Sequence, residues 1–156
     1  MAVELNASGR ALETAQFQNG KQFEIRYVRD RTGLDEMIAV ASEAFAGDFS
    51  WMSNYESRLN DATLALYLAY FDGKPVVTAR LEMTLNRSFA AAYIGSVMPE
   101  FRGKGIYRAL VGARAADAKQ RGFRYMASEA RETSRPILEK LGFVPLTKVQ
   151  GWVKIL

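Results

Sequence analysis

The sequence predicts an α+β fold in which four helices flank a central mixed sheet of about six or seven strands. Three observations carry this prediction. An early segment has apolar residues at helical spacing, a middle region alternates apolar and polar residues, and a glycine-rich loop after it opens a second long helix. The strands of the middle region are expected to pair as an antiparallel meander. At 156 residues the chain fits one domain.

The first third of the chain predicts an arm, a strand and two helices. Residues 1–22 show little periodicity and are interpreted as an N-terminal arm, with some helix at 10–17, so that the domain spans residues 23–156. Residues 23–28 alternate as a strand does. Residues 34–45 have helical spacing, with Thr32 and Asp35 as a capping pair and Gly47 as the stop. A shorter helix is expected at 51–59.

The middle of the chain predicts three antiparallel strands, at 63–71, 77–84 and 89–97, with a hairpin turn at Asp72-Gly73. The last third alternates helices and short strands. A helix from residue 106 to about 122 leads to a strand at 123–127. Ser134 is expected to cap a helix that ends at Leu141, and residues 143–149 and 152–156 to form a closing pair of strands.

Two residue types are missing, and their absence limits the chemistry. Without cysteine the chain has no thiol nucleophile and no thiolate metal site, and without histidine it lacks the commonest general base and metal ligand. We therefore expect no metal. The net charge of +4 is mild for a nucleic-acid binder but suits an anionic ligand. No signal-peptide pattern or long apolar run is present, which favours the cytoplasm.

The loop from Pro99 to Tyr107 has the composition of a phosphate-binding loop. Gly103 and Gly105 follow a strand and precede a helix, so several free backbone N–H groups can converge on one anion. Arg102 and Lys104 add positive charge there. A pair of glycines alone is weak support, because many loops contain one.

The same loop resembles the acetyl-CoA signature of the GNAT superfamily of N-acetyltransferases. That signature is an Arg or Gln, two residues, a Gly, one residue, and a Gly or Ala. Arg102 and Gly105 match it, and Tyr107 departs from its last position. Residues 136–143, which end in Leu-Gly-Phe, resemble the second signature of the family. With the order of strands and helices, the resemblance covers about 130 residues, from Phe23 to Leu156.

The resemblance implies a binding mode for acetyl-CoA as co-substrate. The strands at 89–97 and 123–127 would run parallel and splay apart, with the pantetheine arm between them. Backbone groups of Val97 and Met98 would pair with the arm, and one of the N–H groups near Val97 would stabilise the oxyanion. The phosphates and the thiol would be held by seven further residues: Arg102, Gly103, Lys104, Gly105, Ile106, Tyr107 and Ser134.

The resemblance also implies direct transfer of the acetyl group to a primary amine. Many members have a tyrosine acid four residues before the glycine of Leu-Gly-Phe, where this chain has Leu138. Tyr93 is the candidate substitute, with Ser134 and Tyr107 as alternatives, but only by proximity. CoA is therefore expected to leave as the thiolate without an essential enzyme acid. Glu82 is the expected base, because it lies on the polar face of a central strand, unless it pairs with Arg80 or Arg26. Glu129 and Glu132 are held in reserve.

The acceptor is expected to be the amine of a small molecule or of a peptide or protein. On the predicted acceptor wall, acidic residues outnumber Arg58, which favours a cationic amine: Glu43, Asp48, Glu56 and Asp61. Nearby apolar residues suit either a core or a pocket: Phe45, Phe49, Trp51, Met52 and Tyr55. We expect no membrane or nucleic-acid partner and consider a homodimer. Two alternatives stay open, an acyl-CoA-binding domain without catalysis and a basic nucleic-acid-binding module.

Overall fold

One six-stranded mixed sheet organises the protein, whose computed structural model describes residues 1–5, 23–150 and 152. The strands lie in the order β1-β6-β5-β4-β3-β2, and only β5 and β6 pair in parallel among the described strands. The strands are β1 (Ala2–Glu4), β2 (Phe23–Tyr27), β3 (Leu64–Phe71), β4 (Lys74–Met83), β5 (Phe89–Val97) and β6 (Tyr125–Ser128). The helices are α1 (Arg31–Phe45), α2 (Ile106–Gln120) and α3 (Arg135–Lys140), with 3₁₀ helices at Ser50–Arg58 and Pro99–Phe101. The predicted α+β fold is confirmed.

Helix α1 begins and ends close to the predicted positions but uses different caps. Asp30 is the N-cap, and its carboxylate accepts the N–H of Gly33 at 2.8 Å. The predicted pair Thr32 and Asp35 is therefore wrong as a cap, since Asp35 instead forms an ion pair with Arg31 at 2.9 Å. At the other end Ala46, one residue before the predicted Gly47, adopts the left-handed conformation that closes the helix.

Strands β3, β4 and β5 form the predicted antiparallel meander. Asp72 and Gly73, which join β3 to β4, both have positive φ, as a tight hairpin turn requires. Seven of the eight residues of β3 are buried, so both faces of this strand are covered. Such a strand needs a layer of helix on each side of the sheet.

Two tyrosines of β3 show that α1 and α2 cover opposite faces. The hydroxyl of Tyr67 donates to Asp117 of α2, whereas the hydroxyl of Tyr70 donates to Glu36 of α1. Side chains three residues apart on a strand point to opposite faces. The chain therefore has three layers, with α1 on one face of the sheet and α2 on the other.

The two ends of the described chain differ from the sequence prediction. Ala2–Glu4, within the predicted arm, is a strand that pairs antiparallel with β6. The expected strand at 143–149 is wrong, since the described residues there make only an isolated bridge between Val144 and Ala2. The helix expected at 10–17 lies outside the described residues, and so does the strand expected at 152–156, except for Trp152.

No helix in the described ranges is long and apolar enough to cross a membrane.

Candidate active site

The site forms where the parallel strands β5 and β6 part. They pair over four positions, from Phe89 opposite Tyr125 to Ala92 opposite Ser128. Strand β6 then ends, and the hydroxyl of Ser128 donates to the carbonyl of Ala92 at 3.1 Å. Strand β5 continues to Val97, so its last five residues, 93–97, have an edge that β6 does not cover.

A bulge distorts β5 at this point. Thr78 of β4 lies opposite Ser96, but Arg80 lies opposite Tyr93, so Ile94 and Gly95 together face Ala79. Ile94 has a φ of 47°, a conformation that β-branched residues rarely adopt. An irregularity of this kind re-aims backbone groups, and bulges are common beside active sites.

Gly95 allows two large side chains of α2 to approach the bulge. A Cβ at this position would lie 3.1 Å from Arg114 Nη2 and 3.1 Å from Tyr107 Cε2. Arg114 is 2% exposed and donates to the carbonyl of Tyr93 at 3.3 Å. Burial lowers the pKa of Arg114 from its usual value. A buried guanidinium therefore underlies the floor of the site.

Val97 presents its backbone N–H to the uncovered edge. Met98 donates its N–H to the carbonyl of Val76 at 3.0 Å, which places Val77 and Val97 in a non-hydrogen-bonded pair. The N–H of Val97 is therefore directed away from β4. Its neighbour Met98 is 2% exposed, and its N–H is already used. Of the two residues predicted to contact the arm, Val97 alone offers a free N–H.

The glycine loop forms a pocket of backbone donors. Gly103 has a φ of 75° and Gly105 a φ of 77°, and nothing lies within 4 Å of a Cβ built on either. Gly105 is the N-cap of α2, whose first helical bond is from the N–H of Ala109 to Gly105 at 3.1 Å. The N–H groups of residues 106–108 precede that bond and have no acceptor within the helix. The loop and helix start therefore suit an anion such as a pyrophosphate.

The cations of the loop have different surroundings. Arg102 donates to two carbonyls at 3.0 Å, those of Val97 and Ala44, so its guanidinium joins the loop to β5 and α1. The ammonium of Lys104 lies over the ring of Phe101 at 5.0 Å and does not line the cavity that the described residues form. Arg102 and Arg108 both line that cavity. Arg108 lies in the first turn of α2, next to the loop.

A cavity of about 1190 Å³ runs from the loop past the edge of β5 to α1 and α3. At the loop end it is lined by Gly103, Gly105, Ile106, Tyr107 and Arg108, and along the edge by Gly95, Ser96 and Val97. At the far end it is walled by Phe45, Phe49 and Trp51 on one side and by 128–131, Thr133, Ser134 and Ile137 on the other. Its extent fits a long ligand with phosphates at one end, as CoA has.

The three candidate catalytic residues are placed differently. Tyr93 lines the cavity, and the guanidinium of Arg80 lies 4.7 Å from its ring centre. Glu82 forms an ion pair with Arg80, with Nε and Oε1 3.4 Å apart, and is not among the described lining residues. Glu129, which directly follows β6, lines the cavity and is the one carboxylate among its described lining residues.

Helix α3 presents Ser134 and Ile137 to the cavity, whereas Leu138 is 1% exposed and packs in the core. Ser134 is the N-cap residue, as expected, but makes no capping hydrogen bond. Its hydroxyl donates to the carbonyl of Arg131 at 3.2 Å instead. Leu138, at the position where many members of the resembled family have a tyrosine, is therefore a packing residue of the core.

Sequence reasoning missed Gly95, Arg114 and Arg131, which all line the cavity. The sequence carried a signal for the first two. A lone glycine within a strand pattern indicates a bulge or the close approach of other residues. Gly95 shows both, since it lies in the bulge and against Arg114 and Tyr107. Arg114 follows Ile106 and Leu110 at four-residue intervals, so it falls on the buried stripe of α2.

Comparison with known proteins agrees with this site. The sequence matches the acetyltransferase (GNAT) family over residues 27–143, about three quarters of the chain. The chain therefore belongs to the acetyltransferase (GNAT) family. It is accordingly an acyltransferase of a family that uses acetyl-CoA as co-substrate. A search of the curated proteins found no match.

Solved structures share the fold. Aminoglycoside N-acetyltransferase AAC(6')-Iy in complex with CoA has a TM-score of 0.72 and 23% identity, covering 88% of this chain and 97% of that one. The ribosomal-protein-S18-alanine N-acetyltransferase from Escherichia coli has a TM-score of 0.69 and 21% identity, covering 81% and 80%. A predicted acetyltransferase with acetyl-CoA from Clostridium acetobutylicum has a TM-score of 0.68 and 14% identity, covering 86% and 96%.

Proposed function

We propose that the protein is an N-acetyltransferase that transfers an acetyl group directly from acetyl-CoA to a primary amine of a small molecule, peptide or protein. The parting of β5 and β6 carries this proposal, because it opens the edge of β5 into a cavity that begins at the glycine loop. Two of the three neighbours described above are named for their acceptors, an aminoglycoside and the alanine of a ribosomal protein. Both kinds of acceptor are amines, one small and one on a protein.

In this proposal the cofactor is held mostly by backbone groups. The N–H groups of 103–108 bind the pyrophosphate, supported by the helix dipole of α2 and by Arg108. The N–H of Val97 binds the arm or the acyl oxygen at the uncovered edge. Acetyl-CoA supplies the acetyl group as a thioester when it is bound.

The proton transfers are assigned to side chains of the cavity. Glu129 takes the proton of the acceptor amine, because it is a carboxylate that lines the cavity. Glu82, the residue expected from the sequence, orients Arg80 through their ion pair instead. Tyr93 lines the cavity and is the proposed donor to the leaving thiolate. Since a thiol has a pKa near about 8.5, departure as the thiolate needs little help.

A second function is favoured by one observation, the burial of Leu138. Without a hydroxyl at that position, the chain would serve as an acyl-CoA-binding domain without catalysis. The two functions differ in turnover. We expect CoA and acetyl-CoA to raise the melting temperature under either function, by binding only the folded state. Release of CoA thiol that depends on an added amine is expected for the enzyme alone.

The experiment is a thiol-release screen with acetyl-CoA and a panel of amines: polyamines, amino acids, aminoglycosides and peptides. Amine-dependent release, with the acetylated amine detected by mass spectrometry, supports the transferase. A thermal shift with acetyl-CoA but no release above hydrolysis for any amine favours the binding domain. The absence of any thermal shift contradicts both.

Location and assembly complete the proposal. We propose that the enzyme acts in the cytoplasm and forms a homodimer. Three exposed apolar residues after α3 support a self-contact: Val144, Leu146 and Trp152. Light scattering of the purified chain measures its mass in solution, and a monomer at all concentrations contradicts the dimer.

A further inference from the structure

The acidic residues expected to receive a cationic amine do not face the cavity. Glu56 pairs with Arg31 at 2.8 Å, and Asp61 pairs with Arg58 at 3.4 Å. The carboxylate of Asp48 accepts the N–H of Ser50 at 2.8 Å. None of these three, nor Glu43, belongs to the cavity lining within the described part of the chain. The sequence-based indication of a cationic acceptor therefore has no structural basis in these residues.

Four neighbouring aromatic residues form a wall where these acidic residues were expected, and we call them the aromatic wall: Phe45, Phe49, Trp51 and Tyr55. Phe45 at the end of α1 stacks on Phe49 at 5.1 Å, Phe49 contacts Trp51 at 6.0 Å, and Trp51 meets Tyr55 edge-on at 5.9 Å. The first three line the cavity. Trp51 is 45% exposed, a large apolar surface left open to solvent at the mouth. Such a surface favours an apolar or aromatic ligand over a hydrated one.

Two arginines are held against this wall. The guanidinium of Arg80 lies between two rings, 5.3 Å from Tyr55 and 4.7 Å from Tyr93. Arg131 lies 5.2 Å from the ring of Phe45. Both line the cavity, as Glu129 does. Stacking on a ring fixes the guanidinium plane of Arg131 without using its N–H donors, which stay available for a carboxylate.

These arginines are separate from the phosphate-binding end. Arg80 belongs to β4 and contacts Tyr93 at the start of the uncovered edge of β5, whereas the glycine loop follows the end of that strand. Arg131 contacts Phe45 and follows β6. Their charge is therefore directed at the acceptor half of the cavity. Arg80 already has a carboxylate partner, since its buried Nε lies 3.4 Å from Oε1 of Glu82.

We propose that the acceptor is a zwitterion, an α-amino acid with an apolar or aromatic side chain. This inference rests on the proposed transferase function and names its substrate class. Arg131 binds the carboxylate, the aromatic wall receives the side chain, and Glu129 attracts the ammonium group. Guanidinium groups bind carboxylates with two parallel hydrogen bonds, which polyamines cannot offer.

The test uses ligands that differ in one group. L-phenylalanine and phenethylamine share the ring and the amine, but only phenylalanine carries a carboxylate. We expect kcat/KM to be at least ~10-fold higher for phenylalanine, the scale of one hydrogen-bonded charge. Spermidine, a polycation, is expected to be the poorest acceptor. Arg131→Gln should lower the ratio of kcat/KM for phenylalanine over phenethylamine ~10-fold. It should keep the wild-type dissociation constant for CoA.

The control variant is Arg135→Gln. Arg135 is an exposed arginine of α3 that pairs with Glu139 at 2.8 Å and does not line the cavity formed by the described residues. Its replacement removes the same charge and should leave the phenylalanine-to-phenethylamine ratio at its wild-type value. An equal fall of that ratio in both variants would show a general effect of charge and overturn the assignment of Arg131.

A binding measurement separates this inference from the transferase proposal. Titration of 3-phenylpropionate into the CoA complex, followed by calorimetry, should show binding that Arg131→Gln weakens ~10-fold. Binding without turnover of any amine would overturn the transferase and leave the carboxylate site supported. Preference for spermidine or phenethylamine, no binding of 3-phenylpropionate, or loss of CoA affinity in Arg131→Gln would overturn the inference itself.

Discussion

At the scale of single residues, Gly105 and Gly95 both leave room that a larger residue would fill. A substitution at Gly105 gives the clearer test of cofactor binding. The φ of 77° at Gly105 is costly for any other residue, by about 1–2 kcal/mol. Since no protein atom lies within 4 Å of a Cβ there, a side chain would meet the ligand and not the protein. Gly95 differs, because a Cβ there would press on Arg114 and Tyr107.

Gly105→Val should abolish the thermal shift produced by CoA and lower the melting temperature only modestly. Gly73→Val is the matched control, since Gly73 has a φ of 79°, has equally open surroundings and lies in the β3–β4 turn. Both variants carry the same backbone strain, but the control should keep the wild-type shift. Wild-type affinity for CoA in Gly105→Val would place the cofactor elsewhere.

Glu129 is the second residue to test. Glu129→Gln should lower kcat/KM for the best amine ~10-fold or more at neutral pH, because the base is lost. The loss should be smaller at high pH, where more of the amine is already deprotonated. The control is Glu139→Gln on the outer side of α3, which loses only a surface ion pair. A pH-rate profile identical to that of the wild type in Glu129→Gln would remove this residue from the mechanism.

At the scale of elements, α1 is attached to the sheet through a tyrosine–carboxylate pair. Partial burial, together with the hydrogen bond to Glu36, raises the pKa of Tyr70 from 10.0 to about 12. The folded state thus keeps a proton that the unfolded chain loses. The contribution of Tyr70 to the free energy of unfolding is therefore complete below pH 10 and is lost as the pH rises towards about 12.

Urea denaturation of the wild type and of Tyr70→Phe at a series of pH values measures what the Tyr70–Glu36 pair contributes to the free energy of unfolding. Wild type should be more stable than the variant by a constant amount below pH 10, and the difference should shrink as the pH approaches about 12. A difference that stays constant over the whole range would show that Tyr70 titrates alike in the folded and unfolded chains.

The elements also show how far the sequence predicts this fold. The apolar run of β3, the period-two alternation of β4 and the Asp72-Gly73 turn sufficed to predict this hairpin, because its signals are local in the sequence. Strand β1 has three residues and no pattern of its own, and it exists through pairing with β6. The expected strand at 143–149 fails for the same reason, since edge pairing is decided by tertiary competition.

The candidate site, like the fold, was predictable from the sequence only in part. The glycine loop was predictable, since only glycine is comfortable at the φ values of Gly103 and Gly105. The placement of charged side chains was predictable only in part. The ion pair of Glu82 with Arg80 was one of the alternatives that the sequence offered, since the two residues are neighbours on one face of a strand. The hydrogen bond from Arg102 to the carbonyl of Ala44 was not predictable, because Ala44 lies far away in the sequence.

At the scale of the whole molecule, the absence of cysteine bears on kinetics. Direct transfer requires both substrates in one cavity, so initial-rate plots for acetyl-CoA and amine should intersect. The chain contains no cysteine or histidine to carry the acetyl group in between. Parallel lines, together with an acetylated enzyme isolated in the absence of amine, would contradict direct transfer.

The central claim is that the opening between β5 and β6 is where CoA binds, and a crystal structure of the CoA complex tests it most directly. We expect the pyrophosphate at the N–H groups of 103–108 and the arm along residues 93–97, with the N–H of Val97 in contact with it. The sulfur should lie towards Tyr93 and Glu129. Density for CoA at any other surface, with residues 93–97 uncovered and the cavity holding only water, would contradict the account.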